Sequence, residues 1–246
     1  MKSVKIEYFC PELCHFYGDH GNLLYLKKKA QLMGNDTEVI ETPRGQNPCF
    51  ASGGTSFLYL GPTTEKHQSV LIDALKKYSD ELRNYIENGG FVLATGNSCE
   101  VFYESILQTD GSELPGLNFF PIKAQRFSGK RYSVNVIGEY EGQKIAGYKN
   151  LLSRTITKEN LYPLFRAIKE KGETAPPDAW EGIHYKNLYA TYLLGPILLQ
   201  NPYFSNHLLH QIFGDDYSEQ YIPYEREAYE KRIHDVMTDK NPDHNG

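Results

Sequence analysis

The stretch Phe91-Val-Leu-Ala-Thr-Gly-Asn-Ser-Cys-Glu-Val-Phe102 decides the fold. Phe91 to Ala94 reads as a buried strand, Gly96 tightens a turn, and the residues after it read as the start of a helix. An elbow of this kind presents one side chain at the top of a sheet, where helix N-terminal amides stabilise negative charge. The residue read at that place is Thr95.

Outward from the elbow, β-rich runs alternate with helical periodicity, as in strands joined by crossover helices into a largely parallel sheet. Val4 to Phe9, Thr37 to Ile40 and Phe57 to Leu60 read as the preceding strands. His67 to Asn88 reads as one helix, with Val70, Ala74, Tyr78, Leu82 and Ile86 at four-residue steps and Gly89-Gly90 as its stop. Gly21 to Met33 reads as another, with Leu23, Leu24, Leu26 and Ala30 apolar and Lys27, Lys28 and Lys29 on a solvated face. After Asn118 the texture alternates, and Tyr132 to Ile137 and Lys144 to Tyr148 read as antiparallel strands. Lys169 to Asp178 reads as a charged, proline-closed loop, Ile183 to Leu193 as a buried strand, and His207–Phe213 and Tyr221–Met237 as closing helices. The polar tail, 240–246, is expected to fray.

The chain has 246 residues, 40% of them hydrophobic and 23% charged, enough for one large α/β domain over 1–246 with no linker dividing it. A net charge of -5 makes nucleic acid or an anionic membrane surface a poor partner. Neither a signal-peptide core nor an apolar run of about 20 residues is present, so a cytoplasmic location is expected and no membrane span. Cys10 and Cys14 lack a second pair, and His15 and His20 beside them lack acidic partners, so no metal site is read; the composition calls for no cofactor.

A second tract, Glu181-Gly-Ile-His-Tyr-Lys-Asn-Leu188 followed by Thr191-Tyr-Leu-Leu-Gly-Pro-Ile-Leu198, would end in a Gly-Pro turn beside the elbow. With Gly18-Asp19-His20-Gly21-Asn22, Arg126 with Gly129, and Gly147-Tyr-Lys-Asn150 with Arg154-Thr155, the chain resembles the class I glutamine amidotransferases of the cobyric acid synthase type. Within them it is similar to the glutaminase subunits of bacterial lipid II isoglutaminyl synthases. The resemblance implies an α/β, flavodoxin-like fold: a mainly parallel sheet flanked by helices, with an antiparallel extension. It also implies a Mur-ligase-like synthetase as partner subunit.

The departures carry the functional expectation. The family's elbow cysteine attacks the glutamine carboxamide as a thiolate; here Thr95 stands there. The family's histidine base is replaced by Leu194, and the oxyanion loop reads Gly61-Pro62-Thr63, in which proline has no N–H to donate. Losing a nucleophile or its base costs roughly 10^4 to 10^6 in rate in comparable hydrolases. Cys99, about one turn or roughly 6 Å beyond the elbow, reads as a packed thiol rather than a substitute. His184, ten residues before the base position, reads as structural.

The leading expectation is therefore a catalytically degenerate amidotransferase-like protein, a non-hydrolysing partner or scaffold subunit of a ligase or amidotransferase complex, with buried apolar surface at Leu194 and Leu151. Two alternatives stay open. One is an enzyme with other chemistry in the same pocket, for which the sequence offers no base. The other is a protein binding glutamine or another small carboxylate or amide through Arg126, Thr95, Gly96 and Asn97.

Overall fold

The computed structural model describes residues 3–157, 162–170, 173–174 and 179–238. Four strands come first: β1 (Ser3–Phe9), β2 (Asp36–Thr42), β3 (Phe57–Leu60) and β4 (Phe91–Thr95). Helix α1 (Gly21–Leu32) links the first two, and α2 (Glu65–Lys76) and α3 (Ser79–Glu87) link the last two. The chain then leaves this layer through β5 (Tyr103–Leu107), β6 (Glu113–Pro115), β7 (Phe120–Arg126), β8 (Tyr132–Tyr140) and β9 (Gln143–Leu151). It continues through β10 (Ser153–Thr155), β11 (Phe165–Glu170), β12 (Glu173–Thr174) and β13 (Trp180–Glu181). Strands β14 (Ile183–Tyr185) and β15 (Leu188–Thr191) return it to the first layer, and α4 (Ile197–Gln200), α5 (Pro202–Phe213) and α6 (Glu225–Thr238) close the chain.

The main sheet has the order β14-β15-β4-β3-β1-β2, parallel throughout except for the β14–β15 hairpin. All four residues of β3, Phe57 to Leu60, are fully buried, the continuous apolar pattern of a central strand covered on both faces. A second sheet runs β10-β7-β5-β6, and a third, antiparallel, runs β12-β11-β8-β9 with β13 on β11. This is the mainly parallel sheet with an antiparallel extension that the resemblance implies. One continuous apolar cluster includes residues of all three sheets. No helix among the described residues is long and apolar enough to cross a membrane.

Several local expectations are corrected. The helix expected over 67–88 is two helices, breaking at Lys77 and Tyr78, with Tyr78 at φ -124°. A strict four-residue step drifts by about 40° per repeat on a helix of 3.6 residues per turn, so one straight helix could not keep all five apolar residues on one face. In α2 the buried residues are instead Gln68, Leu71, Ile72 and Leu75. Lys27 and Lys28 are solvated, but Lys29 is buried, 3.5 Å from the buried Glu225 of α6. Leu24, expected in the apolar stripe, faces out. Ile183–Leu193 is a hairpin turning at Lys186, whose φ is +52°. The tail 240–246, and residues 171–172 and 175–178 of the expected loop, lie outside the described residues.

Helix α2 starts at Thr64, whose Oγ1 accepts from the His67 amide at 3.2 Å. Thr64→Ala leaves that amide without its cap and is expected to lower stability by about 1 kcal/mol in urea unfolding; Thr64→Ser should retain nearly all of it.

Candidate functional site

The parallel strands β3, β4 and β15 end together, with Leu60 opposite Ala94 and Thr95 opposite Thr191. The chain turns sharply just beyond β4. Thr95 is still extended, at φ -120° and ψ 153°, and the left-handed residue is Gly96, at φ +61°. The elbow thus lies one residue later than expected, and Thr95 is the last residue of the strand.

A Cβ placed on Gly96 would sit 2.6 Å from Pro62 Cβ and 2.8 Å from Leu194 Cδ2. Gly96, Leu194 and Pro62 therefore meet at one point, and apolar side chains occupy it. The Gly96 amide donates to Leu193 O at 3.1 Å. Pro62 has no N–H, the Thr63 amide donates to Asn97 Oδ1 at 3.1 Å, and Gly61 O accepts from Ser98 Oγ at 2.6 Å. Thr63's amide hydrogen is thus already committed within the loop. The expected helix after the elbow is seven residues of 3-10 helix, Gly96–Phe102, running directly into β5. Such a short element has little dipole to offer an anion.

Leu194 and Leu151 are both buried and line one cavity of about 60 Å³ with Pro62, Thr63, Asn97 and Ser153. That is room for a few waters, at about 30 Å³ each, and far below the roughly 300 Å³ at which ligand pockets begin. Tyr17 and Tyr148, 49% and 38% exposed, stand at its edge: Tyr17 lines it, and Tyr148 pairs through its backbone with Leu194.

Thr95 is enclosed. Its Oγ1 donates to Asp19 Oδ2 at 2.7 Å and lies 3.3 Å from the Tyr59 hydroxyl. Asn22 ties this knot to the turn after β15 by donating to Tyr59 Oη and to Gly195 O at 3.0 and 3.1 Å. A hydroxyl with a carboxylate beside it is the pairing an alcohol nucleophile needs, yet Thr95, Asp19 and Tyr59 are all fully buried, so no substrate atom reaches them. Burial pushes the Asp19 carboxyl well above the usual carboxylate range, and among the described residues Oδ1 has no hydrogen-bond partner. An acid whose pKa is raised on folding contributes most below its unfolded pKa, and loses that contribution as pH rises. Asp19→Asn is accordingly expected to gain stability relative to the parent between pH 5 and pH 8; a parallel pair of urea midpoints would sink this assignment.

Arg126 is also buried. Its guanidinium donates to Gln68 Oε1 and lies 3.9 Å from Glu100 and 4.0 Å from Glu65. Glu100 itself accepts from Gln68 Nε2 at 2.7 Å, from the Tyr192 hydroxyl at 3.1 Å and from Ser153 Oγ. Two residues of this region went unread in the sequence, Asp19 and Glu100. Asp19 sits within the quoted Gly18–Asn22 motif, and Glu100 is a carboxylate one turn past the elbow in a run of small and apolar residues. Either could have been flagged as a charge at an interior position.

Cys99 is fully enclosed, its thiol 4.0 Å from the Tyr103 hydroxyl, and burial holds its pKa well above the free thiol's, the reverse of an activated nucleophile. His184 stacks on Tyr189 at 4.5 Å and contacts Lys186 O at 3.1 Å, at the end of the hairpin away from the elbow. His15 stacks on Phe16, and no group of three metal-binding side chains occurs among the described residues.

The profile of the CobB/CobQ-like glutamine amidotransferase domain matches residues 5–202. The subunit GatD of lipid II isoglutaminyl synthase (glutamine-hydrolyzing) from Streptococcus pneumoniae (strain ATCC BAA-255 / R6) is 25% identical over 201 residues, 81% of this chain and 76% of the relative. Its counterpart from Staphylococcus aureus (strain N315) is 26% identical over 209 residues, 85% of this chain and 84% of the relative. Among solved structures, a glutamine amidotransferase superposes at TM-score 0.53 and 14% identity, covering 84% of this chain and 98% of its own. PurLQS from Thermotoga maritima superposes at 0.51 and 11% identity, covering 87% and 96%. At these identities the structural likeness concerns the fold.

Proposed function

This chain belongs to the CobB/CobQ-like glutamine amidotransferase family, and on that premise we propose that it no longer hydrolyses glutamine and serves as a non-catalytic subunit of a ligase complex. What supports the reading is one contact: Gly96, Leu194 and Pro62 converge where hydrolysis needs a thiolate, an imidazole and a backbone donor. The apolar wall formed by Leu194 and Leu151 fits the same reading. A glutamine-binding role fits less well, because the cavity there is about 60 Å³ and Arg126 already faces two carboxylates.

Both similar relatives bear the name of a synthase subunit. For this chain the partner proposed is a Mur-ligase-like synthetase, docking over the face where Tyr17 and Tyr148 are exposed. Tyrosines at a mouth that admits no substrate are suited to an interface core. The test is co-expression with such a synthetase, followed by size-exclusion chromatography and an ammonia assay. A complex that survives in the parent and is lost in Tyr17→Glu/Tyr148→Glu, with no ammonia released, is the expected result. A chain that elutes alone, or one that releases ammonia at the rate of a hydrolysing enzyme, overturns the proposal.

A further inference from the structure

A second cavity, of about 690 Å³, opens between the strand pair β8–β9, strand β10 and the β11–β13 edge. It lies in the size range of small-molecule pockets, whereas the cavity at the elbow does not. Its walls mix aromatic rings, Trp180 and Tyr132, with Lys149, Arg154, Glu170 and Glu181. Two of these charged side chains belong to the interior: Lys149 is 8% exposed and Glu181 2%.

The cation and the acids here are unequally satisfied. Glu181 accepts from Thr191 Oγ1 at 2.9 Å and from the Tyr192 amide at 2.6 Å, and burial pushes its carboxyl up toward the neutral form. Glu170 stands 3.5 Å from Lys149 Nζ. An ammonium carries three donors, and a charge-assisted bond to a carboxylate closes to about 2.7–2.9 Å. Lys149, held at 3.5 Å from its partner, therefore retains donor capacity, and Arg154 adds a second cation at the wall.

We propose that this cavity is a binding site for a small carboxylate with an apolar or aromatic body, its anion received by Lys149 and Arg154 and its body lying against Trp180 and Tyr132. The site is separate from the elbow, and Ser153 and Leu151 belong to the wall of both cavities. A ligand here would stiffen the strands that hold Leu151 beside Leu194, whether or not the chain hydrolyses glutamine.

Trp180 is the only tryptophan in the chain, so its emission reports on this cavity alone. The probe is 3-phenylpropanoate, with 3-phenylpropanamide as its neutral isostere, titrated into the full chain with excitation selective for tryptophan. A saturable change with the carboxylate, at least tenfold weaker with the amide, is expected from the loss of a charge-assisted hydrogen bond. Lys149→Met should weaken the carboxylate at least tenfold, and Arg154→Gln, at an exposed position that does not endanger folding, severalfold. Equal response to carboxylate and amide, or no saturable response from the parent chain, overturns the proposal. Both comparisons use the unaltered protein and do not depend on the variants folding.

Discussion

Glutamine incubated with the purified chain is expected to release ammonia at least about 10^4-fold more slowly than with a hydrolysing relative, the scale of losing a nucleophile or its base. The variants locate the cause. Thr95→Cys, alone or with Leu194→His, should leave the rate at background, because position 95 is an extended strand residue sealed against Asp19 and Tyr59. A thiol reaches the meeting point of the three loops only from position 96. Gly96→Cys by itself is expected to destabilise the protein, since the left-handed backbone costs about 1–3 kcal/mol in a non-glycine residue. Its Cβ would also press on Pro62 and Leu194. Combined with Leu194→His and Pro62→Gly, it removes the proline Cβ that stands in the way and supplies an imidazole and an amide. Ammonia release from this triple variant, with none from the position-95 variants, is the predicted pattern; the opposite pattern would place the elbow at Thr95.

Glu100→Leu is expected to cost about 3–5 kcal/mol, the penalty for breaking a buried charge pair and leaving one partner behind. Glu100 is fully buried and its two oxygens collect Gln68, Tyr192, Ser153 and the Arg126 guanidinium. Arg126 cannot follow its lost partner into water, being only 8% exposed, and the remaining carboxylate, Glu65, also pairs with Arg131 at 2.7 Å. The double variant Glu100→Leu/Arg126→Met should recover more than half of the loss, because the uncompensated cation is gone. Urea midpoints with an unchanged m-value measure both. A loss under 1 kcal/mol for Glu100→Leu alone would mean that Arg126 finds solvent, and would remove it from the interior network.

Much of this was legible in the linear sequence. The first, third and fourth strands need only local apolar runs, and they appear within about one residue of their expected bounds. That Leu194 has no imidazole and Pro62 no amide hydrogen is a matter of residue identity and needs no structure. Thr95 and Gly96 differ in kind. Which of two adjacent residues takes the positive φ depends on where β4 stops pairing with β15, and that pairing extends through Thr95 opposite Thr191.

The sequence by itself therefore determined the layered α/β architecture and the family likeness, since each rests on residue type and short-range periodicity. Tertiary structure alone decided the rest. It broke the helix at Tyr78 and paired Lys29 with a glutamate 196 positions away. It enclosed Thr95 against Asp19, joined Arg126 to Glu100, and brought Lys149, Glu170 and Trp180 around one cavity. The physical reason is common to all of them. Burial and charge pairing are set by neighbours across sheets and loops, and no local pattern records which neighbours those are.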